Sequence, residues 1–352
     1  MTVLGAALQA RIRQSGPMSL ADYMAECLLH PRYGYYTTRD PFGAAGDFTT
    51  APEISQMYGE LAGLCLAQSW LDQGSPSPMT LAELGPGRGT LMADILRATR
   101  QVPGFHAAMT VTLLEASPKL RAIQAANLAP YPVRWLQDLS DLPQQPLFVI
   151  ANEFFDALPI RQFQRSGVWW SERCVGLTGS GLGLGLTAPI AMAALDPRLA
   201  DTTDGMIVEI CPAAPGLIAG LTARIAGHGG VALIVDYGDW ISRGDTFQAV
   251  KSNAYADPFA DPGAVDRTAH VDFAALAAAA TPLTHAFTTQ GAFLNRLGIA
   301  SRAAKLAAAL AGDRLQSHLL ATHRLTGPQE MGTLFKVLAL YPSTCPPPPG
   351  MC

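Results

Sequence analysis

From residue 79 onward, short apolar runs alternate with segments of helical periodicity, the pattern of a parallel sheet with helices packed on it. The runs "MTLAEL", "MTVTLLE", "PVRWL", "PLFVIA", "GMIVEI" and "VALIVDYG" read as strands. Between them, "TLMADILRATRQ" carries Leu91, Met92, Ile95 and Leu96 on one stripe, and "PAAPGLIAGLTARIAGH" fits a helix between the last two runs. A polar, hairpin-like stretch, "IRQFQRSGVWWSERCVGL" with its continuation "TGSGLGLGLT", breaks this order after the fourth run. It predicts an inserted β excursion at about 160–205. No strand leads into the glycines at 179–185 and no helix follows them, so they read as a flexible turn and not as a phosphate loop.

Ahead of this region, Leu20, Tyr23, Met24, Cys27 and Leu28 recur at helical spacing behind a Ser19 cap with Asp22 three residues on, which predicts a helix over 19–29. "PRYGYYTTRDPFGAAGDFTTAPEIS" is too long without periodicity to be a simple connector and reads as a structured lid, with Tyr35, Tyr36 and Phe48 available to close over a ligand. A second helix follows, with Met57, Leu61, Leu64 and Gln68 on one face and Gly74 and Pro76 ending it. Near the C-terminus, "PLTHAFTT" and "GTLFKVLALY" read as an antiparallel pair closing the sheet, and "CPPPPGMC" as a polyproline or disordered tail. The expected organisation is therefore a helical and lid region over 1–78, an α/β domain over 79–341 with further helical elements at about 255–325, and a disordered tail over 342–352.

With 49% hydrophobic residues in 352, the chain can bury a large core. A net charge of −4 and 15% charged residues leave no basic stripe for nucleic acid. No apolar run approaches the roughly 20 residues needed to span a bilayer, so membrane insertion is not expected. The six cysteines form no C-x-x-C pair and point to a reducing compartment. The N-terminus runs directly into a helical pattern, which makes the bacterial cytoplasm the expected location ahead of the mitochondrial matrix. His270, Asp266 and Asp272 in "DRTAHVDF" lack metal-ligand spacing and Asp272 reads as a helix cap, so no metal is expected.

The chemistry centres on "LAELGPGRGT". Gly85, Gly87 and Gly89 give G-x-G-x-G where a dinucleotide fingerprint needs G-x-G-x-x-G, and no G-K-[ST] follows for a P-loop. What remains is a strand ending in Glu83 and a loop (Gly85, Pro86, Gly87, Arg88, Gly89) open to close approach by a ligand. The helix N-terminus behind it suits a carboxylate as well as a phosphate. S-adenosylmethionine carries such a carboxylate beside a sulfonium. Glu115 ends the second strand, where an acceptor-only carboxylate takes both ribose hydroxyl protons. It lies further along than the usual spacing, so the first helix or its loop must be extended. Asp138, with Leu139, ends the third strand on the adenine side, and "NEFFDALP" after the fourth places Asn152, Glu153 and Asp156 at the mouth opposite the methyl group. These acids sit at carboxyl strand ends, where open α/β sheets bind ligands. A class I (Rossmann-like) methyltransferase leads, and a nucleotide-dependent oxidoreductase is the rival.

The stretches "GDFTTAPEISQMYGE", "LAELGPGRGTLMADILR", "ANEFFDALPIRQF", "VEICPAAP", "LIVDYG", "DTFQAV", "DPGAVDRTAHVDF" and "EMGTLFKVL", in this order, resemble the MidA family of S-adenosylmethionine-dependent methyltransferases, which includes a mitochondrial complex I assembly factor. The resemblance implies a class I fold with an added substrate-side region, S-adenosylmethionine as cofactor and S-adenosylhomocysteine as product. It also implies a protein substrate: an arginine of the large hydrogenase-like complex I subunit, converted to symmetric dimethylarginine. It adds Gly46, Asp47, Phe48, Thr49 and Thr50 to the cofactor set. Ala51 stands where the family more often has serine, and Asn253 where it has histidine. For a protonated guanidinium, carboxylates are the expected holders, with Glu153 and Asp156 as catalytic candidates. Glu209 in "VEICP", Tyr237 in "LIVDYG" and Phe154 complete the substrate set, while one of Phe154 and Phe155 is expected in the core. A methyltransferase with another acceptor, or a cofactor-binding assembly chaperone, are the alternative functions.

Overall fold

The computed structural model describes residues 1–38, 49–251 and 254–352. Helices α1 (Val3–Ser15), α2 (Leu20–Leu29) and α3 (Gln56–Asp72) precede the first long strand. The α/β region then runs β1 (Met79–Leu84), α4 (Thr90–Thr99), β2 (Met109–Leu114), α5 (Pro118–Asn127), β3 (Val133–Leu136) and β4 (Leu147–Asn152). The excursion comprises β5 (Arg161–Ser166), β6 (Trp169–Thr178), β7 (Gly181–Leu186) and β8 (Ile207–Ile210). The chain returns through α6 (Ala214–His228) and β9 (Gly230–Asp239), followed by a small sheet of β10 (Gln248–Lys251), β11 (Ala254–Ala256) and β12 (Asp266–Thr268). It ends with α7 (Phe273–Ala279), β13 (Thr284–Thr289), α8 (Gln290–Arg296), α9 (Ile299–Ala307), α10 (Gly312–Thr326) and β14 (Phe335–Tyr341).

The main sheet has the order β13-β14-β9-β4-β1-β2-β3, with β14 antiparallel to both neighbours and the remaining pairs parallel. Strands β1 and β4 are buried at every position, as expected of parallel strands covered on both faces. Their side chains alternate between two cores. Leu81, Phe148, Ile150 and Leu233 pack with α3 and α4 on one face, and Ala82, Val149, Ala151 and Ile234 pack with α6 and α7 on the other. Strand order reverses between β1 and β4, which opens a crevice at their carboxyl ends, where doubly wound sheets bind ligands. Among the described residues no helix is long and apolar enough to cross a membrane.

The Ser19 cap on α2, the buried stripe of α4 and the β13–β14 closure match the sequence reading. The extension that Glu115 required is present as a short helix, Phe105–Ala108, ahead of β2. Several expectations need correction. Strand β8, read as part of the main sheet, pairs antiparallel with β5 in the excursion, because a short apolar run does not reveal its partner. The glycine run is not a free turn: Gly181–Leu186 forms β7 along β6. The stretch from 255 begins with the β10–β12 sheet before any helix. Helix α3 is buried on most of its circumference, and Leu64 and Gln68 lie on its exposed side. Within the expected 1–78 region, α1 and α2 share a core with Ile160 and Val175 of the excursion, whereas α3 belongs to the main-sheet core.

The end of the 342–352 segment is packed against the core and is not a loose tail. Met351 is 5% exposed within the main-sheet core, the Cys65 thiol donates to the Pro349 carbonyl (3.3 Å), and Arg296 donates to the Gly350 carbonyl (3.3 Å). Met351→Ala is expected to cost about 2 kcal/mol or more, the usual range for a buried methionine, and to lower Tm by several degrees in scanning calorimetry; a loose tail would leave Tm unchanged.

Candidate functional site

A cavity of about 790 Å³ occupies the crevice at the carboxyl ends of β1, β2, β4 and β9. Its size is that of a cofactor-plus-substrate site. Glu83 leads into Gly85, Gly87 and Gly89, all at positive φ (62°, 51° and 81°), a path that non-glycine residues rarely adopt. At Gly85 the missing Cβ also makes room for Phe154, whose Cδ2 would lie 2.8 Å from it. The glycine loop and the acid turn are therefore in direct contact. Gly85, Pro86, Gly87 and Arg88 line the cavity; Gly89 stands behind them as the N-cap of α4.

Glu83 is 3% exposed and its Oε2 has no hydrogen-bond partner among the described residues. Burial pushes its carboxyl up to about 8, against a backbone N–H at Met92 and with the nearby Glu115 adding to the rise. Such an oxygen suits an ammonium group. Glu115 also lines the cavity, its Oε1 accepting from the Ser117 N–H (2.7 Å) and its Oε2 from Gln124 (3.0 Å). Burial raises this carboxyl as well. Gln124, fully buried in α5, escaped the sequence reading. Its amide donates to Glu115 and to the Gly87 carbonyl (2.8 Å) and accepts from the Trp135 indole (2.8 Å), so one side chain sets both the loop and Glu115.

Asp138 and Leu139 are not brought to the cavity. Asp138 is exposed and accepts from the Ser140 N–H (2.7 Å), the Ser140 side chain and this N–H together hold its carboxyl below the usual range, and Leu139 is buried under the sheet. Gln137, one residue earlier, lines the cavity in their place. Thr50 lines the cavity and Thr49 a neighbouring one, while Gly46, Asp47, Phe48 and Asn253 lie outside the described residues. Of the two tyrosines expected to flank a ligand, Tyr36 faces the cavity and donates to Asp266 (2.9 Å), and Tyr35 is core.

The acid turn is held from below by Asp236 on β9, a residue that as one acid in "LIVDYG" gave no signal of its own. Its Oδ2 accepts from three successive backbone N–H groups, of Phe154 (3.2 Å), Phe155 (2.9 Å) and Asp156 (3.2 Å). Glu153 enters the turn at φ 51°, an uncommon conformation for a residue with a Cβ, and its N–H donates to the Val235 carbonyl (2.9 Å). Its Oε1 accepts from the Ala51 N–H (3.1 Å) and from Asn152 (3.0 Å), whose own carbonyl accepts from Tyr58. Burial pushes Glu153 up to about 7, against those hydrogen bonds and the charge of Arg324. Asp156 is 7% exposed, and its Oδ1 has no hydrogen-bond partner among the described residues. Burial and the charges of Asp236, Asp266 and Glu153 all raise its carboxyl, and burial and the charge of Glu153 push Asp236 up to about 8 against its backbone hydrogen bonds.

Phe154 lines the cavity and Phe155 is core, as expected of one of the pair. Tyr237 lines it too, edge-on to His270 and Phe335 (5.2 and 5.6 Å between centroids). Glu209 does not: it accepts from Gln162 (2.7 Å), Thr246 N–H (2.9 Å) and Ser242 (3.2 Å), tying the excursion to the loop after β9. Asp272 caps α7 through the Ala275 N–H (2.9 Å), and the described residues contain no cluster able to hold a metal.

Comparison with known proteins places this geometry. A family model described as "Putative S-adenosyl-L-methionine-dependent methyltransferase" matches residues 61–291. The zebrafish (Danio rerio) protein arginine methyltransferase NDUFAF7, mitochondrial, is 35% identical over 95% of this chain and 85% of its own length, and the human (Homo sapiens) protein of the same name is 35% identical over 95% and 82%. A crystal structure from Burkholderia thailandensis bound to S-adenosyl-homocysteine superposes with a TM-score of 0.84 at 28% identity, covering 99% of this chain and 94% of that one.

Because the Glu153 carboxyl rises from the ordinary 4.5 to about 7 on folding, the folded chain binds more protons than the unfolded chain between these values. Stability therefore falls as pH rises through that window. Glu153→Gln, which keeps the accepting oxygen and cannot ionise, is expected to raise Tm over wild type at pH 8 and to give no gain at pH 4 in calorimetric scans.

Proposed function

We propose that this chain, which belongs to the MidA family of S-adenosyl-L-methionine-dependent methyltransferases, is a protein-arginine N-methyltransferase. Its substrate on this reading is the large hydrogenase-like subunit of respiratory complex I and its product symmetric dimethylarginine, as the family resemblance implies. The observation that carries the reading is a pair of buried carboxyl oxygens with no partner among the described residues, Glu83 Oε2 and Asp156 Oδ1, on two residues that line one cavity. Such oxygens are costly unless a cation meets them. The cofactor's ammonium suits the first and a substrate guanidinium the second. The arginine methyltransferase names of relatives at 35% identity support the same assignment.

S-adenosyl-L-methionine supplies an electrophilic methyl group on its sulfonium. The chain's task is to hold both reactants and exclude water, and good alignment alone is worth roughly 7–11 kcal/mol. Free N–H groups at the start of α4 and the glycine loop receive the cofactor's carboxylate, Glu83 its ammonium and Glu115 its ribose hydroxyls. Gln124 fixes the loop and Glu115 relative to each other.

On the acceptor side, Asp156 and Glu153 grip the guanidinium through charge-assisted hydrogen bonds that localise its charge away from the nitrogen to be methylated. Phe154 offers its ring face to the same group, a contact worth about 0.5–2 kcal/mol. Methylation of a guanidinium nitrogen releases one proton. Glu153, at about 7, is the carboxylate suited to accept it and pass it to solvent.

Two outcomes are expected when methylarginine on the purified complex I subunit is measured by mass spectrometry. Asp156→Asn lowers kcat/KM by about a hundredfold or more, with calorimetric affinity for S-adenosylhomocysteine unchanged. The wild-type kcat/KM rises with pH through about 7 as Glu153 ionises, and that rise is absent in Glu153→Gln. Wild-type activity in Asp156→Asn would remove it from the acceptor site.

A further inference from the structure

A second cavity of about 550 Å³ adjoins the first, and the two share Glu153, Arg324, Leu334 and Phe335. The cofactor elements Glu83, Gly85, Gly87 and Glu115 line the first cavity alone, whereas Pro328, Gln329, Glu330, Met331 and Thr333 line the second alone. We propose that the second cavity is the entrance for the acceptor, through which an arginine-bearing polypeptide segment passes its guanidinium from Glu330 at the rim to Glu153 at the junction. This inference rests on the protein-arginine reading and adds the route and the residues that select for it.

The rim is a built feature. Residues 327–335 leave α10 with the Gly327 N–H bonded to the His323 carbonyl (2.6 Å) and turn through one helical turn, Met331–Leu334, into β14. At Gly332 the backbone lies so near α10 that a Cβ would stand 2.2 Å from the Thr326 carbonyl. Lys336 donates to the carbonyls of Thr333 (2.8 Å) and Gly238 (2.9 Å), which anchors the rim to β9 beside the acid turn. The shape of this mouth is therefore set by backbone contacts and by the Lys336 ammonium.

Its lining matches an arginine in two respects. Pro328, Met331, Leu334 and Phe335 offer apolar surface for the three-methylene stem. Glu330 is exposed, its carboxylate has no hydrogen-bond or ion-pair partner among the described residues, and it belongs only to the outer cavity, so an entering guanidinium meets it before Glu153. Arg324 likewise has no such partner among the described residues, and its charge favours ionised Glu153. An arriving guanidinium takes over that role. Glu330 at the rim and Glu153 at the junction offset the charge of Arg324 along this path.

The test compares wild type, Thr333→Trp and Glu330→Gln on the purified large hydrogenase-like complex I subunit, with calorimetric titration of S-adenosylhomocysteine in parallel. Thr333 is exposed and outside the cofactor cavity, so the indole obstructs the mouth without touching the core. Thr333→Trp is expected to raise KM for the subunit at least tenfold, and Glu330→Gln about three- to fivefold as befits one exposed charge pair, both with wild-type affinity for S-adenosylhomocysteine. A wild type that binds S-adenosylhomocysteine yet forms no methylarginine on the subunit would overturn the arginine reading and this route with it. An active wild type whose two variants keep its KM would overturn the entrance alone.

Discussion

The acid turn depends on one carboxylate. Asp236 is fully buried on β9 and collects three successive backbone N–H groups from 154–156, which closes the chain after β4 into a turn tight enough to hold Glu153 at positive φ. Without that acceptor the three N–H groups would be buried and unpaired, each a loss of about 1–3 kcal/mol, and the turn would have no reason to keep its shape. Its cost is equally local. Asp156, Glu153 and Asp266 line the cavity with Asp236 beneath the turn, and burial together with neighbouring acid charges raises the carboxyls of Asp156, Glu153 and Asp236, which favours their neutral forms until a cation enters.

The turn also couples the two halves of the reaction site. Phe154 rests close against the position a Cβ on Gly85 would take, so the position of the glycine loop is read by the same turn that is proposed to face the acceptor. On the other side of the loop, Gln124 joins Gly87 to Glu115. A chain of contacts thus runs from α5 through the glycine loop and the acid turn to β9, across the point where strand order reverses. Alignment of a methyl donor with its acceptor within fractions of an ångström needs this kind of continuity.

Much of this was legible in the residues. Strands β1 to β4 and β9 announce themselves as apolar runs, and Glu83, the glycine loop, Glu115 and the "NEFFDALP" turn fall at their carboxyl ends, where periodicity and ligand chemistry agree. The errors arose where the deciding partner is distant in sequence. Strand β8 looks like any other core strand until its pairing with β5 is known, and Glu209 on it moves away from the site with that pairing. Asp138 looks like Glu115 by position, yet a local bond to the Ser140 N–H turns it into a cap. Asp236 and Gln124 carried no motif because their partners lie on other elements, and the tail was misread because proline-rich composition says nothing of a buried methionine beyond it.

The central claim is that buried acids of this cavity hold protons until a ligand's cation takes their place, and proton linkage tests it most directly. At pH 7 Glu83, raised to about 8, is largely neutral in the free protein. Calorimetric titration with S-adenosylhomocysteine at pH 7, in buffers of different ionisation enthalpy, should therefore show net release of protons on binding, and less release from Glu83→Gln. Binding with no proton release, or with the same release from Glu83→Gln, would contradict the account.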